Sequence, residues 1–415
     1  MRNIHKSIIG VLCLVGIVRG GDWTDFRGPL RNGIVKDANL PVEFGAKKNL
    51  VWKKALPGKA WSSPCIYQGK IYLTNAILTE DKLQLHTLCL DAKDPTKTVW
   101  DNVIFTHDAT NLPRVHSKNS HASPTPIIHD SKLYVHFGHQ GTACLDLEGK
   151  VLWKNNNYRY RPVHGNGGTP MLVDDALVFS CDGGNEAFVV AISRKTGKQL
   201  WKTPRRVRVA RKFSFTTPQV IEVKGKKQII SPGSNVVCAY DPKNGNEIWR
   251  VEYNGYSVIP RPVYAHGLVY VCTGYGRPSL LAIDPTGQGN VTRTHVKWET
   301  KRAVPHTPSV LVVGDHLYMV SDRGIASCLE AKSGKKLWTD RITGNYSASP
   351  IYSGGKIYFL NESGVATVIE ASPKKLTVLA KNDLEERSLA SFAVADGSLF
   401  VRTAKHLYRF AKTDR

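Results

Sequence analysis

One short phrase, repeated along the whole chain, limits what it can fold into. A Ser-Pro or Thr-Pro step, or a close equivalent, opens SSPCIYQGKIYL (62–73), ASPTPIIHDSKLYV (122–135), GTPMLVDDALVF (168–179), TTPQVIEVKGKKQII (216–230), PRPVYAHGLVYV (260–271), HTPSVLVVGDHLYM (306–319) and ASPIYSGGKIYF (348–359), with a weaker eighth copy in LASFAVADGSLFV (389–401). Each copy reads as a short apolar strand, a turn carrying Gly, Asp or Lys, and a second strand that alternates apolar with other residues, which is hairpin patterning. After a longer first interval the copies lie roughly 42 to 48 residues apart, the period of a four-stranded propeller blade. A length of 415 residues admits one large all-β unit as readily as several average domains, so the repeat decides the matter.

A second element completes each unit. The hairpins are followed by strand, turn and tryptophan-bearing strand in CLDLEGKVLW (144–153), AISRKTGKQLW (191–201), AYDPKNGNEIW (239–249) and CLEAKSGKKLW (328–338), by looser versions ending at Trp100 and Trp298, and by LTVLA with Val378 in the seventh unit. That leaves seven outer strands for eight hairpins. NLVWKKAL (49–56) matches an outer strand but has no hairpin before it. Pairing it with the last hairpin closes a ring and hides its edges. The expected fold is therefore an all-β, eight-bladed β-propeller of four-stranded antiparallel blades, a single domain over 49–415 closed by an N-terminal strand.

The motif ending in these tryptophans, close to A-x-D-x-x-x-G-K-x-x-W, resembles the tryptophan-docking motif of PQQ quinoprotein propellers and of PQQ-like propellers such as the assembly lipoprotein BamB. The resemblance runs from about Leu50 to Phe410, and DWTDFRGPLRNGIV (22–35) is similar to the start of exported PQQ-like repeat proteins. The quinoprotein dehydrogenases would imply a vicinal Cys-Cys pair against the cofactor, a calcium held by Glu and Asn, and an Asp base. No two cysteines are adjacent here and the long insertions of those enzymes are missing, so no bound PQQ is expected. DGGNE (182–186) offers oxygens of the kind that take calcium but reads as a solvated turn. The BamB side of the resemblance implies a non-catalytic scaffold with a protein partner. The fold itself hosts enzymes, scaffolds and binders alike.

The first 20 residues read as an export signal: Arg2 and Lys6, the apolar run SIIGVLCLVGIV (7–18), and small residues at Gly20 and Gly21. The run is too short for a comfortable transmembrane helix, and Leu12-Cys13 is a poor lipoprotein box. A released protein, periplasmic or extracellular and monomeric, is expected, with residues 21–48 as an extension before the propeller. Seven of the 8 cysteines fall beyond the signal, each inside an apolar run, and there is no CxxC, so they read as small buried hydrophobes. The formal net charge is +23, and about +20 without Arg2, Lys6 and Arg19. Such a balance favours acidic partners, which for an exported chain means an acidic small molecule or polysaccharide rather than nucleic acid.

In a propeller the segments leading into the innermost strands share one side of the ring with the loops joining second and third strands, and function on rigid scaffolds lives in such loops. The eight lead-in segments carry Lys59, Trp61, His116, Lys118, Asn119, His121, His164, Asn166, Arg208, Arg211, Lys212, Tyr256, Arg261, Arg302, His306, Tyr346 and Arg387, with almost no acid before Glu385 and Glu386. Converging cations favour the neutral form of histidine and call for an anionic ligand. Lys59, His116, Lys118, Asn119, Asn166, Arg208, Arg211, Lys212, Arg261, Arg302 and Arg387 then bind the ligand, with Trp61 stacking on a sugar ring. His121, His164 or His306 would serve as base, and Tyr256 or Tyr346 as acid, in lyase- or hydrolase-type chemistry. His116, His121 and His164 are also candidate zinc or copper ligands, but the four residues between His116 and His121 argue against convergence, so no metal is expected. Because ASPTP holds the position of SSPCI and GTPML, VHSKNSH (115–121) becomes a lip of the channel beside VHGNGG (163–168), with His121 and His164 on adjacent blades.

Overall fold

The computed structural model describes residues 21–36 and 38–412; the expected signal segment lies outside the described residues. The strands form eight antiparallel sheets of four strands. Their innermost strands, Cys65–Tyr67, Ile127–His129, Met171–Val173, Gln219–Val223, Val263–Ala265, Leu311–Val313, Ile351–Ser353 and Ala393–Ala395, define blades 1 to 8. Leu50–Ala55 is the outer strand of blade 8, paired antiparallel to His406–Ala411 from Leu50↔Phe410 to Ala55↔His406. The ring thus closes where the orphan outer strand required. Two blades gain a short parallel fifth strand: Ile34–Val35 beside Ile351–Ser353, and Gly289–Asn290 beside Glu247–Glu252.

The docking motif joins six of the eight blades to the next. The indole N–H of Trp201 donates to the Pro242 carbonyl at 2.9 Å, and Trp52, Trp100, Trp153, Trp298 and Trp338 make the same bond to Ala92, Leu147, Arg194, Ala331 and Ser372 of the following blade. The motif glycine explains itself at Gly245, where φ is +73° and a Cβ would lie 2.4 Å from the Trp201 ring. Only glycine lets the turn accept both that conformation and the indole. Trp249 departs from the pattern: Gly289–Asn290 covers it, it is fully buried, and it donates to Gln228 within its own blade.

The Ser/Thr-Pro step has its own physical reason. The hydroxyls of Ser63, Thr125, Thr169, Thr217, Ser309, Ser349 and Ser391 each accept a backbone N–H from the preceding blade, at 2.9–3.2 Å, in a circuit about the axis. Blade 5 breaks the circuit by placing Arg261 where the others have a hydroxyl. Its guanidinium is buried and holds the Phe26 carbonyl at 2.8 Å, Gln219 at 2.9 Å and Asp25 at 3.5 Å.

That contact belongs to a larger one. Residues 21–35 run across the axis rather than outside the propeller. Trp23 pairs with Ile66 of blade 1, the Thr24 carbonyl accepts from Ile128 of blade 2, Arg27 donates to Val310 of blade 6, and the Gly33 carbonyl accepts from Tyr352 of blade 7. The continuation packs Leu40 and Phe44 into the core of blades 7 and 8. The channel is closed on the side away from the lead-in segments.

All seven described cysteines are free and buried, and burial pushes their thiols up, to about 11 for Cys89 and Cys144. They are packing residues. Among the described residues no helix is long and apolar enough to cross a membrane.

Candidate functional site

The closed channel leaves a cavity of about 310 Å³ on the lead-in side. Its floor is Phe26 and its lower wall is the circuit of seven hydroxyls, all of which line it. A hydroxyl has one hydrogen and two lone pairs. Each of these spends a lone pair on a neighbour's N–H. Ser349 gives its hydrogen to Ser309 at 3.1 Å; none of the other six donates to a protein group among the described residues. The wall therefore presents O–H donors to whatever enters.

The upper wall is aromatic over half its circumference. His116 and His164 meet edge to face at 5.5 Å, His164 packs on Phe213 at 5.3 Å, Phe213 on Tyr256 at 5.9 Å, Tyr256 on Tyr275 at 6.4 Å, and Tyr275 stacks on His306 at 4.5 Å. Trp61 faces this arc from blade 1. Arg211 lies 4.4 Å over Tyr256 and Arg387 5.9 Å over Trp61, so two exposed cations cap aromatic faces at the rim.

Behind the floor the charges do not balance. Arg27 and Arg261 are buried, and Arg31 also turns inward to reach Asp25 at 2.9 Å. Arg31 and Arg261 share the Asp25 carboxylate, and among the described residues Arg27 pairs with none. Nε and Nη1 of Arg27 have no hydrogen-bond partner. Burial, then repulsion from Arg261, holds Arg27 down to about 9, and burial holds Arg261 down to about 10. Both remain charged at neutral pH. Arg27 donates to the Val310 carbonyl, one residue beyond Ser309 of the hydroxyl wall.

The rim carries acids that the lead-in segments alone did not display. Lys118 reaches from blade 2 to Glu362 of blade 7 at 2.6 Å, and Ser347 donates to the same Glu362 oxygen at 2.6 Å. Asp322 accepts from the His306 backbone at 2.6 Å, lies 3.2 Å from His306 Nδ1, and accepts from Thr307 at 2.7 Å. A carboxylate on Nδ1 selects the tautomer that leaves Nε2 as a proton acceptor, the arrangement a general base needs.

The expected site residues separate into three groups. Trp61, His116, Lys118, Asn119, His164 and Tyr256 line the cup, and His306 completes the arc through Tyr275. Arg211 and Arg387 stand at its rim. Burial, then His116, lowers the pKa of His164; Asn119 also supports the lip, donating to the His164 carbonyl at 3.0 Å.

The third group lies elsewhere. Arg261 is under the floor, its side chain drawn to Phe26 and Asp25. Tyr346 is wholly buried, its hydroxyl donating to Thr343, and burial raises it to about 12. Asn166 is buried and donates to the Phe137 carbonyl. His121 points to Gln140 at 3.2 Å, its pKa lowered chiefly by burial; although its blade adjoins that of His164, it does not share the cup. Lys212 donates to the Asn185 carbonyl, and Lys59, Arg208 and Arg302 are exposed outside the lining.

Sequence reasoning missed Phe26 and Phe215 as cup residues, Phe213 as a link of the aromatic arc and Glu362 as the partner of Lys118. The Ser/Thr step was visible as a repeat marker, and its hydroxyls were the overlooked wall.

The vicinal cysteine pair that the quinoprotein resemblance implies has no counterpart among the described residues of the cup. No cysteine lines the cup, and Asp182 of DGGNE is not solvated but locked in a fully buried ion pair with Arg205 at 2.8 Å. Asn185 of the same turn accepts from the Arg161 backbone. Among the described residues no three His, Cys, Asp or Glu side chains converge as metal ligands; His116 and His164 meet while His121 turns away.

The architecture defines an eight-bladed β-propeller with a blind axial cup. The chain belongs to the family described as outer membrane protein assembly factor BamB, whose model matches residues 94–340 and 322–415. The solved structure of BamB from Moraxella catarrhalis superposes with a TM-score of 0.60 at 12% identity, over 88% of this chain and 98% of that one. A europium-containing methanol dehydrogenase superposes at 0.64 and 12%, over 95% and 99%. The computationally designed Ika8 protein does so at 0.57 and 10%, over 86% and 99%. At these identities the likeness is one of fold. No match was found among curated proteins.

Proposed function

We propose that this propeller is exported and binds an acidic, ring-bearing small molecule, a carboxylated sugar or the end of an acidic polysaccharide, in the axial cup. The observation that carries the reading is the hydroxyl wall: its lone pairs are committed to the neighbouring blades, so it offers donors to a ligand rich in acceptors, above buried guanidiniums in excess of their one carboxylate. The aromatic arc supplies faces for a sugar ring, and the rim cations steer an anion inward.

A ligand that binds only the folded state raises stability by about 2.7 kcal/mol at a hundred times its Kd. The test is a thermal-shift series at constant ionic strength with uronates, sulfated sugars, phosphate, Ca²⁺, Zn²⁺ and PQQ. An upward shift with uronates or sulfated sugars is expected; no shift with any acidic ligand removes the reading. A shift with PQQ alone would identify the ligand as a quinone, bound without a vicinal cysteine pair.

A second reading is favoured by the family description: an assembly scaffold whose partner proteins dock on the outer rims. In that case substitutions inside the cup would leave partner capture unchanged.

A further inference from the structure

The best-placed cation in the cup already holds a carboxylate. Lys118 lies on the lip segment of blade 2, yet its ammonium is 2.6 Å from Glu362 on blade 7, with side-chain exposures of 35% and 15%. Ser347, which also lines the cup, donates to the same oxygen. Glu362 is carried there by a turn that Asn361 fixes, accepting from the Ser363 and Val365 backbone and donating to Thr343. The lip is held over the mouth a second time by Arg387, which donates to the Ser117 carbonyl at 3.3 Å. A lysine and a hydroxyl converging on one carboxylate oxygen form a carboxylate subsite, and here the chain fills that subsite itself.

Resting on the cup-binding reading, we propose that Glu362 is an internal stand-in for the ligand's carboxylate: Lys118 and Ser347 form the acid-reading subsite, and an acidic sugar binds by displacing Glu362 from them. The exchange leaves no charge unpaired at its end, because Lys118 passes from one carboxylate to another while Glu362, part-exposed, turns to water. It also sets specificity. A neutral sugar cannot replace Glu362 without stranding Lys118, so it is disfavoured by the loss of the pair, whereas a carboxylated sugar repays that loss. The other charged pair beside this subsite, Asp322 with His306, is tied within itself, and Tyr275 stacks its ring on His306, which leaves Lys118 as the reader.

Substitution separates the two partners by sign. Glu362→Gln keeps the shape and removes the competing charge; glucuronate affinity by calorimetry at fixed ionic strength is expected to rise about tenfold, with a smaller gain for glucose. Lys118→Met is expected to lose about tenfold for glucuronate while glucose, which no longer strands an ammonium, is not weakened. The double variant has no unpaired charge to destabilise the fold and is expected to lose the preference for acid over neutral sugar; matching melting temperatures and circular dichroism establish that each variant is folded. Wild-type glucuronate binding that is unchanged in all three variants, or weakened by Glu362→Gln, overturns the stand-in while leaving the cup reading intact. Absence of glucuronate binding in the wild type and in every variant overturns both.

Discussion

Replacing Ser391 by alanine tests whether the hydroxyl circuit, rather than apolar packing alone, fastens blade to blade about the axis. Ser391 is buried, and its oxygen accepts the Ser349 N–H at 2.9 Å. Alanine removes that acceptor without opening a cavity, since no methyl group is lost. The Ser349 N–H is then left with the desolvation cost of an unmet buried donor, about 1–3 kcal/mol, against the roughly 0.5 kcal/mol of an ordinary surface substitution. Threonine is the control, because blades 2, 3 and 4 hold Thr125, Thr169 and Thr217 at the same position with the same bond. The measurement is urea unfolding, comparing midpoints at unchanged slope. Ser391→Ala is expected to shift downward by the stated amount and Ser391→Thr to stay close to wild type. If Ser391→Ala is within 0.5 kcal/mol of wild type, water from the cup satisfies the N–H and the circuit is a by-product of packing.

Two other features give equally direct expectations. Asp182 and Arg205 are fully buried as a pair, so Asp182→Asn, which leaves the guanidinium unpaired, should cost about 3–5 kcal/mol in the same unfolding measurement. Stability should also fall in mild acid. Burial holds His136 down to about 3 and His139 down to about 4, so both are neutral in the native state while the unfolded chain takes up protons below about pH 6.5. Their contribution is complete above that pH and is lost on acidification by about 1.4 kcal/mol per pH unit for each histidine, down to about pH 4 for His139 and pH 3 for His136. His139→Gln should flatten the slope between pH 6 and 4; an unchanged slope would place the proton uptake elsewhere.

How far the sequence could be read depended on what kind of contact each residue makes. The strands, the eightfold count and the closure by Leu50–Ala55 follow from patterns that repeat locally, because the same Trp, Gly and Ser/Thr contacts recur from blade to blade. Placing side chains was harder. Neighbours on a lead-in segment point to different places: Tyr346 goes into the core while Ser347 faces the cup, and His116 faces the cup while His121 turns to Gln140. Arg261 read as one more mouth cation because nothing local reveals that the channel floor lies within its reach. Lys118 and Glu362 are 244 residues apart, and their pairing appears only when the ring is closed. Phe26 entered the site from a stretch that sequence alone treated as an extension.

The floor across the axis bears on how the chain is made. Arg27 finds its acceptor 283 residues downstream and the Phe26 carbonyl its donor 235 residues downstream, while Leu50 waits for Phe410. Synthesis delivers these N-terminal residues first, but their partners come from blades 5, 6 and 8, and such distant contacts form slowly. The contacts of Arg27, Phe26 and Leu50 can therefore form only once blades 5, 6 and 8 exist. Until then Trp23, Leu40 and Phe44 lack part of the core that buries them in the closed ring.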